Sequence, residues 1–424
     1  MNQKPDRRRS PVSEATDARP GSEKTEGMRR QPAALIGLAL MTMACTGPSP
    51  RPGQALPSDS ADAPAFDPAP EGLRVSTVGW STDFSRHEVP LREIISGGPG
   101  KDGIPAIDQP QFLPIDRVAD WLIDREPVIA FGIGDEWRAY PIQILIWHEI
   151  VNDVVAGTPV AITFCPLCHT AIAFDRRIDG RVLDFGTTGN LRHSDLVMYD
   201  RQTETWWQQA TGRGIVGDLA GMQLTFLRSQ LISWGQFVQA HPDGMVLSRE
   251  TGHPRDYDRN PYPGYDRVES IPFLLEDQTL LDGRLSPKVR VLGIMINGEA
   301  VAYPFPLLAQ DRVVNDEVGG EPIVVMWADG AASGLGGPTV AGGGIVGAAN
   351  AFSRAVEGRI LTFAAMENGA MRDVETGSSW SFDGRSTAGE LRGSQLELLV
   401  ADSPFWFAWA VFRPDTRIWQ PVGE

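Results

Sequence analysis

Apolar and polar residues alternate along Val128–Ile133 and again along Glu136–Tyr140, on either side of Gly134-Asp135. Two alternating runs around a Gly-Asp step predict a β-hairpin. Pro141–Asn152 then shows apolar residues at helical spacing behind a proline, which predicts a short helix. Pro159–Phe164 reads as a strand. Ala171–Phe174 and Arg181–Phe185 flank Asp179-Gly180 and predict a second hairpin, and Leu196–Tyr199 with Thr205–Gln208 predict a third around Arg201–Glu204. A helix around Ser233–His241 closes the set. Short antiparallel strands with few helices give an α+β fold, mainly antiparallel β.

This pattern runs twice along the chain. Val151-Asn152-Asp153 is echoed by Val314-Asn315-Asp316, Tyr140-Pro141 by Tyr303-Pro304, and His241-Pro242-Asp243 by Arg413-Pro414-Asp415. Order and spacing hold throughout, with a Gly/Ala-rich insert at about Gly330 to Asn350 as the main break. Self-similarity of this kind predicts two tandem homologous lobes packed as a pseudo-symmetric pair. Lobe 1 is 126–248 and lobe 2 is 289–424, with an inter-lobe segment at 249–288 and a lead-in at 76–125. The differences between the copies point to the chemistry. His148 falls opposite Asp311, Glu149 opposite Arg312, Cys165 opposite Ala328, and His241 opposite Arg413. From Pro287 onward the chain has neither Cys nor His. Residues common to both copies build a lobe; those peculiar to the first are expected to do the chemistry.

Two of the three cysteines lie in Cys165-Pro166-Leu167-Cys168-His169, between two apolar strands. A C-x-x-C turn aims both sulfurs at one point. With His148 from the preceding helix as third ligand, and His169 or His193 as a fourth, the set suits copper, favoured here, or zinc. A thiol–disulfide couple is the second reading, with His169 lowering a thiol pKa. The third is structural: a Cys165–Cys168 disulfide, or two buried thiols closing the turn, on a non-catalytic binding or scaffold protein.

Around this turn, Trp147, Glu149, Asp195, Tyr199, Arg201, Trp206, His253, Arg255 and Tyr257 are candidates for a pocket. Each has a plainer reading beside it. Asp195 and Arg201 also suit a turn network with Asp200, and Trp206 and Trp207 suit the core better than a ligand platform. His253, Arg255 and Tyr257 suit inter-lobe packing, and Asn152 and Asp153, present in both copies, suit backbone bonding. No P-loop, dinucleotide fingerprint, H-E-x-x-H or G-x-S-x-G motif is found.

With 38 basic and 54 acidic residues in 424, the net charge of -16 argues against nucleic acid as partner and leaves a metal ion or small molecule. The N-terminus supplies an address. Residues 1–27 read as a disordered extension. Met28-Arg29-Arg30, an apolar run to Met43 and Ala44-Cys45 follow the grammar of a signal peptide, with Met28 as a candidate start. The segment 28–45 is similar to a bacterial lipoprotein signal, which implies lipidation of Cys45 and anchoring in the cell envelope; an ordinary cleaved secretory signal is the alternative. Residues 46–75 read as a Pro/Ala/Ser-rich tether, so the membrane would be met only through the anchor. Oligomeric state is left open.

Trp147-His148-Glu149-Ile150-Val151-Asn152-Asp153, Thr163–Cys168, Ser194–Thr203 and Thr251–Tyr257, followed by Pro261-Tyr262 and Tyr265-Asp266, together resemble the bacterial DUF3179 family. The resemblance spans about Ile104 to Asp266 and, more weakly, the second copy. It implies an envelope or secreted protein and supplies no mechanism.

Overall fold

Pro127–Ile133 and Glu136–Pro141 form the expected hairpin, paired antiparallel from Val128↔Pro141 to Ile133↔Glu136. A computed structural model describes residues 70–118, 121–366 and 370–421. The signal segment, Cys45 and all but the last residues of the tether lie outside them. Among the described residues strand outweighs helix, 39% against 11%, as the α+β reading requires. None of their helices is long and apolar enough to cross a membrane.

Two expectations need correction. Helix α1 spans only Ile142–His148; Glu149 caps it in the left-handed conformation (φ 60°), and Ile150–Val155 leaves as a strand. The β-branched residues Ile150, Val151, Val154 and Val155 favour that switch. Nor does Ala171–Phe174 pair across Asp179-Gly180. That turn closes a ladder of only Arg177–Ile178 with Arg181–Val182. Thr170–Asp175 pairs instead with Thr158–Cys165, across the cysteine turn, and with Thr225–Leu227. The third hairpin is as expected, Asp195–Asp200 with Trp206–Gln208. Asp195–Asp200 also pairs with Phe185–Arg192 through His193-Ser194, both at positive φ. Two successive left-handed residues match the strand twist in such a tight hairpin. Helix α2, Trp234–Ala240, begins with a capping box of Ser233 and Gln236.

Between Val291 and Ile418 the same pairings return. Val291–Ile296 pairs with Glu299–Pro304, α3 spans Phe305–Asp311, Val313–Val318 pairs with Glu321–Ala328, and α4 spans Trp406–Phe412. A short strand runs parallel to the hairpin in each half: Met245–Leu247 beside Glu136–Pro141, and Arg417–Ile418 beside Glu299–Pro304. Side-chain bonds recur too. Tyr140 donates to Asp153 (2.6 Å) as Tyr303 does to Asp316 (2.7 Å). Asn152 brackets Phe185 N and O, and Asn315 brackets Phe363 N and O. The Trp207 indole donates to Asp200 and the Trp380 indole to Asp373.

Residues 67–424 form one compact unit. Phe405, Phe407 and Ala408, at the start of α4, lie in the same buried cluster as Phe164, Leu167 and Cys168. The cysteine turn is docked onto the second half: Phe405 N donates to Cys168 O at 3.0 Å, and Ala171 N to Asp402 at 2.8 Å. The Gly/Ala-rich insert also packs back, with Ala332 N on Arg125 O and Asn260 N on Pro338 O.

Candidate metal centre

Cys165 is the last residue of its strand and pairs with Thr170, so the four residues Pro166–His169 form the turn. His169, at φ 59°, closes it. The ladder holds both sulfurs in the interior: Cys165 is 1% and Cys168 0% exposed, and both are free thiols. Asp195, the first residue after the tight His193-Ser194 turn, brings a carboxylate to them. The ligand atoms of Cys165, Cys168 and Asp195 all lie within 4.8 Å of one another. The Cys168 thiol donates to Asp195 Oδ1 at 2.9 Å and lies 3.0 Å from Thr170 Oγ1. Asp195 Oδ2 accepts from Gln208 Nε2 at 2.5 Å and from Ala210 N at 2.9 Å. Thr170 in turn donates to Gln209, whose amide reaches Thr163.

Charge is costly in this interior, and every acidic group in it is pushed toward its protonated form. Burial raises the Cys165 thiol and raises the Cys168 thiol well above its usual range. Burial raises Asp195 as well, against the hydrogen bonds from Cys168, Ala210 and Gln208. Glu149 belongs to the same region. Its side chain is buried, has no hydrogen-bond partner among the described residues, and is pushed up to about 8 by burial and then by the charge of Asp195. Tyr262 and Tyr265 pack against the same cluster. Burial raises both phenols; Glu149 and Cys165 raise Tyr262 further, and Cys165 and Cys168 add to the rise of Tyr265.

The third side chain beside the sulfurs is thus Asp195, and His148 is not in the group. Both His148 nitrogens are engaged elsewhere, Nδ1 with Pro105 O and Nε2 with the Tyr257 hydroxyl, each at 2.7 Å. Burial lowers this imidazole to about 4. Successive helical residues point about 100° apart, and at the end of α1 the chain turns His148 one way and Glu149 the other. His169 and His193 do not join the sulfurs either. His169 Nδ1 meets Ser403 O at 2.8 Å, and His193 meets Glu93 at 3.3 Å.

The expected pocket residues fall into separate places. Tyr257 binds His148, and Thr251 and His253 lie beside them. Trp147 donates to Arg259 O, with Arg255 over its ring. Tyr199 and Arg201 share Asp102, a network apart from the cysteines. Trp206 is fully buried among Phe84, Ile94 and Val216, so it is core. Sequence reasoning placed Glu149 and Asp195 among pocket candidates without assigning them to the sulfurs, and it gave Thr170 no role. The contrast of Glu149 with Arg312 was the available signal.

These features define a class: a mainly antiparallel β protein with a buried dithiol–carboxylate group that could hold a metal ion. The family model described as "Protein of unknown function (DUF3179)" matches residues 101–416, and the chain belongs to that family. No curated protein and no solved structure matches it.

Proposed function

We propose that this protein is an envelope-anchored metal-binding protein that holds one ion at Cys165, Cys168 and Asp195. The observation behind the reading is the convergence of two thiols and a carboxylate, buried and within 4.8 Å of one another, with the buried Glu149 carboxyl coupled to Asp195. Burial pushes all four acidic groups toward their protonated forms, because separate negative charges in the interior are costly. A divalent cation replaces the thiol protons, which are released on binding, and balances the charge that remains.

The donor set favours zinc. Copper was expected with an imidazole beside two thiolates; a carboxylate in that place suits zinc, which takes Cys sulfur and Asp oxygen together. Glu149 lies outside that group and bears on it through its interaction with Asp195. The full burial of the three donors suits retention of an ion more than turnover on it. Export rests on the Met28–Cys45 segment, with Cys45 as the lipidated residue. In an oxidising compartment a bound metal would also keep the thiols from pairing. We infer further that the two halves descend from one duplicated unit; the matched Tyr–Asp, Asn–backbone and Trp–Asp bonds support this.

The test is elemental analysis with thiol counting after unfolding, on protein purified from its native compartment. About one zinc per chain is expected in wild type and in His148→Ala, and none in Cys165→Ser or Asp195→Asn. Absence of metal together with absence of free thiols would replace the reading by a Cys165–Cys168 disulfide.

A further inference from the structure

A cavity of about 250 Å³ lies between the halves, walled by Phe226 and Leu227 from the first and by Met295 and Trp409 from the second. Asp402 and Arg413 complete its lining with opposite charges. Arg413 caps α4, and its guanidinium lies 4.1 Å from the centroid of the Trp409 ring. It donates one hydrogen bond, to Ala210 O at 3.1 Å, and makes no ion pair among the described residues. Asp402 accepts Ala171 N and Ser403 N on Oδ1, both at 2.8 Å, and its Oδ2 has no protein donor among those residues. The two groups feel each other: Asp402 offsets part of the burial that pulls Arg413 down, and Arg413 offsets part of the burial that raises Asp402 to about 6. At neutral pH both are charged, face one apolar space, and are not bonded to each other.

We propose that this cavity binds an apolar α-amino acid as its zwitterion, with the carboxylate on Arg413, the ammonium on Asp402 and the side chain against Phe226, Leu227 and Met295. Such a ligand satisfies both charges and leaves none over. A simple carboxylate would leave Asp402 unpaired beside it, and a simple amine would do the same to Arg413, each at the cost of a poorly solvated charge. Arg413 offers the paired N–H donors that a carboxylate accepts best. At the matching positions of the other half stand His241 and Gln230, which line a different groove of about 720 Å³. Neither supplies the fixed cation or the anion, so the zwitterion chemistry is built on one side only.

The test is calorimetric titration of the full chain with L-leucine, L-methionine and L-valine, against isocaproate and isoamylamine. At least one amino acid binds, and the two single-charge analogues bind weaker by about tenfold or more. Arg413→Gln and Asp402→Asn each weaken binding by about tenfold or more, the loss of one charge-assisted contact. Should those variants not fold, Met295→Trp, at an exposed residue of the lining, fills the space and blocks binding without touching either charge. The proposal falls if none of the three amino acids binds folded wild type, or if isocaproate binds as tightly as leucine. Cys168→Ser retains leucine binding even where metal is lost, so this site and the metal reading fail separately.

Discussion

After α1 and after α3 the chain turns through a residue at φ 60°, Glu149 in the first half and Arg312 in the second. The following strands, the Tyr–Asp bond and the Asn bracket are the same in both. The side chains at the turn differ in kind. Glu149 is buried and coupled to Asp195, whereas Arg312 runs out across Trp327 to Asp329. At the end of the next strand stands Cys165 in one half and Ala328 in the other, with no cysteine turn beyond Ala328. The two halves thus share these pairings and bonds, and among the described residues only the first buries thiols beside carboxyl groups. Residues that match between the halves answer to packing and backbone bonding; the buried acidic groups peculiar to the first half carry a cost when charged.

The pH dependence of stability gives the largest contrast. The Glu149 carboxyl, ordinarily 4.5, is at about 8 in the folded protein. The folded state therefore keeps a proton that the unfolded chain releases above its ordinary value. The stability this group lends is complete at low pH, and it falls as pH rises from about 4.5 through about 8. In urea unfolding of metal-free protein, Glu149→Gln should remove that fall and gain roughly 4 kcal/mol on wild type between the two ends of the window. Arg312→Gln should leave the slope unchanged; an equal change there would break the contrast.

Next come the shared aspartates. Asp200 accepts Thr203 N and the Trp207 indole, and Asp373 accepts Thr376 N and the Trp380 indole, all with little exposure. Asp200→Ala and Asp373→Ala each strand buried donors and should each cost about 3 kcal/mol in the same experiment. A large loss in one half alone would mean that the framework is not equivalent. Tyr257→Phe sharpens the separation of His148 from the sulfurs: it should cost about 1 kcal/mol for a lost hydrogen bond and leave metal content unchanged. Smallest is Arg312→Ala, an exposed ion pair with Asp329, expected within about 0.5 kcal/mol of wild type.

Much of the fold was legible because it rests on local signals. Gly134-Asp135 set its hairpin, the helix expected around Ser233–His241 stands as α2, and the echoes of Tyr140, Asn152 and Asp153 fell on residues that make matching bonds. Errors arose where a local pattern met a longer-range competitor. Helical spacing through Asn152 lost to the β-branched residues after Glu149, and the ladder across the cysteine turn outcompeted the pairing across Asp179-Gly180. The two sulfurs were legible as a pair, and the carboxylate beside them was not. His148 lay nearest before Cys165 in the chain and looked natural, but Asp195 arrives on a hairpin thirty residues beyond, through a left-handed turn that spacing does not reveal. The role of Asp402 and Arg413, both in the second half, was invisible for the same reason, since the cavity they line is closed by Phe226 and Leu227 of the first.

The most direct test of the central claim is optical titration of reduced, metal-free protein with cobalt(II), which stands in for zinc and reports thiolate ligation through a sulfur-to-metal charge-transfer band. The account predicts a band that saturates at one equivalent, is displaced by zinc, persists in His148→Ala and is absent in Cys168→Ser. A folded, fully reduced wild type that gives no such band, or one that loses the band in His148→Ala and keeps it in Asp195→Asn, would contradict it.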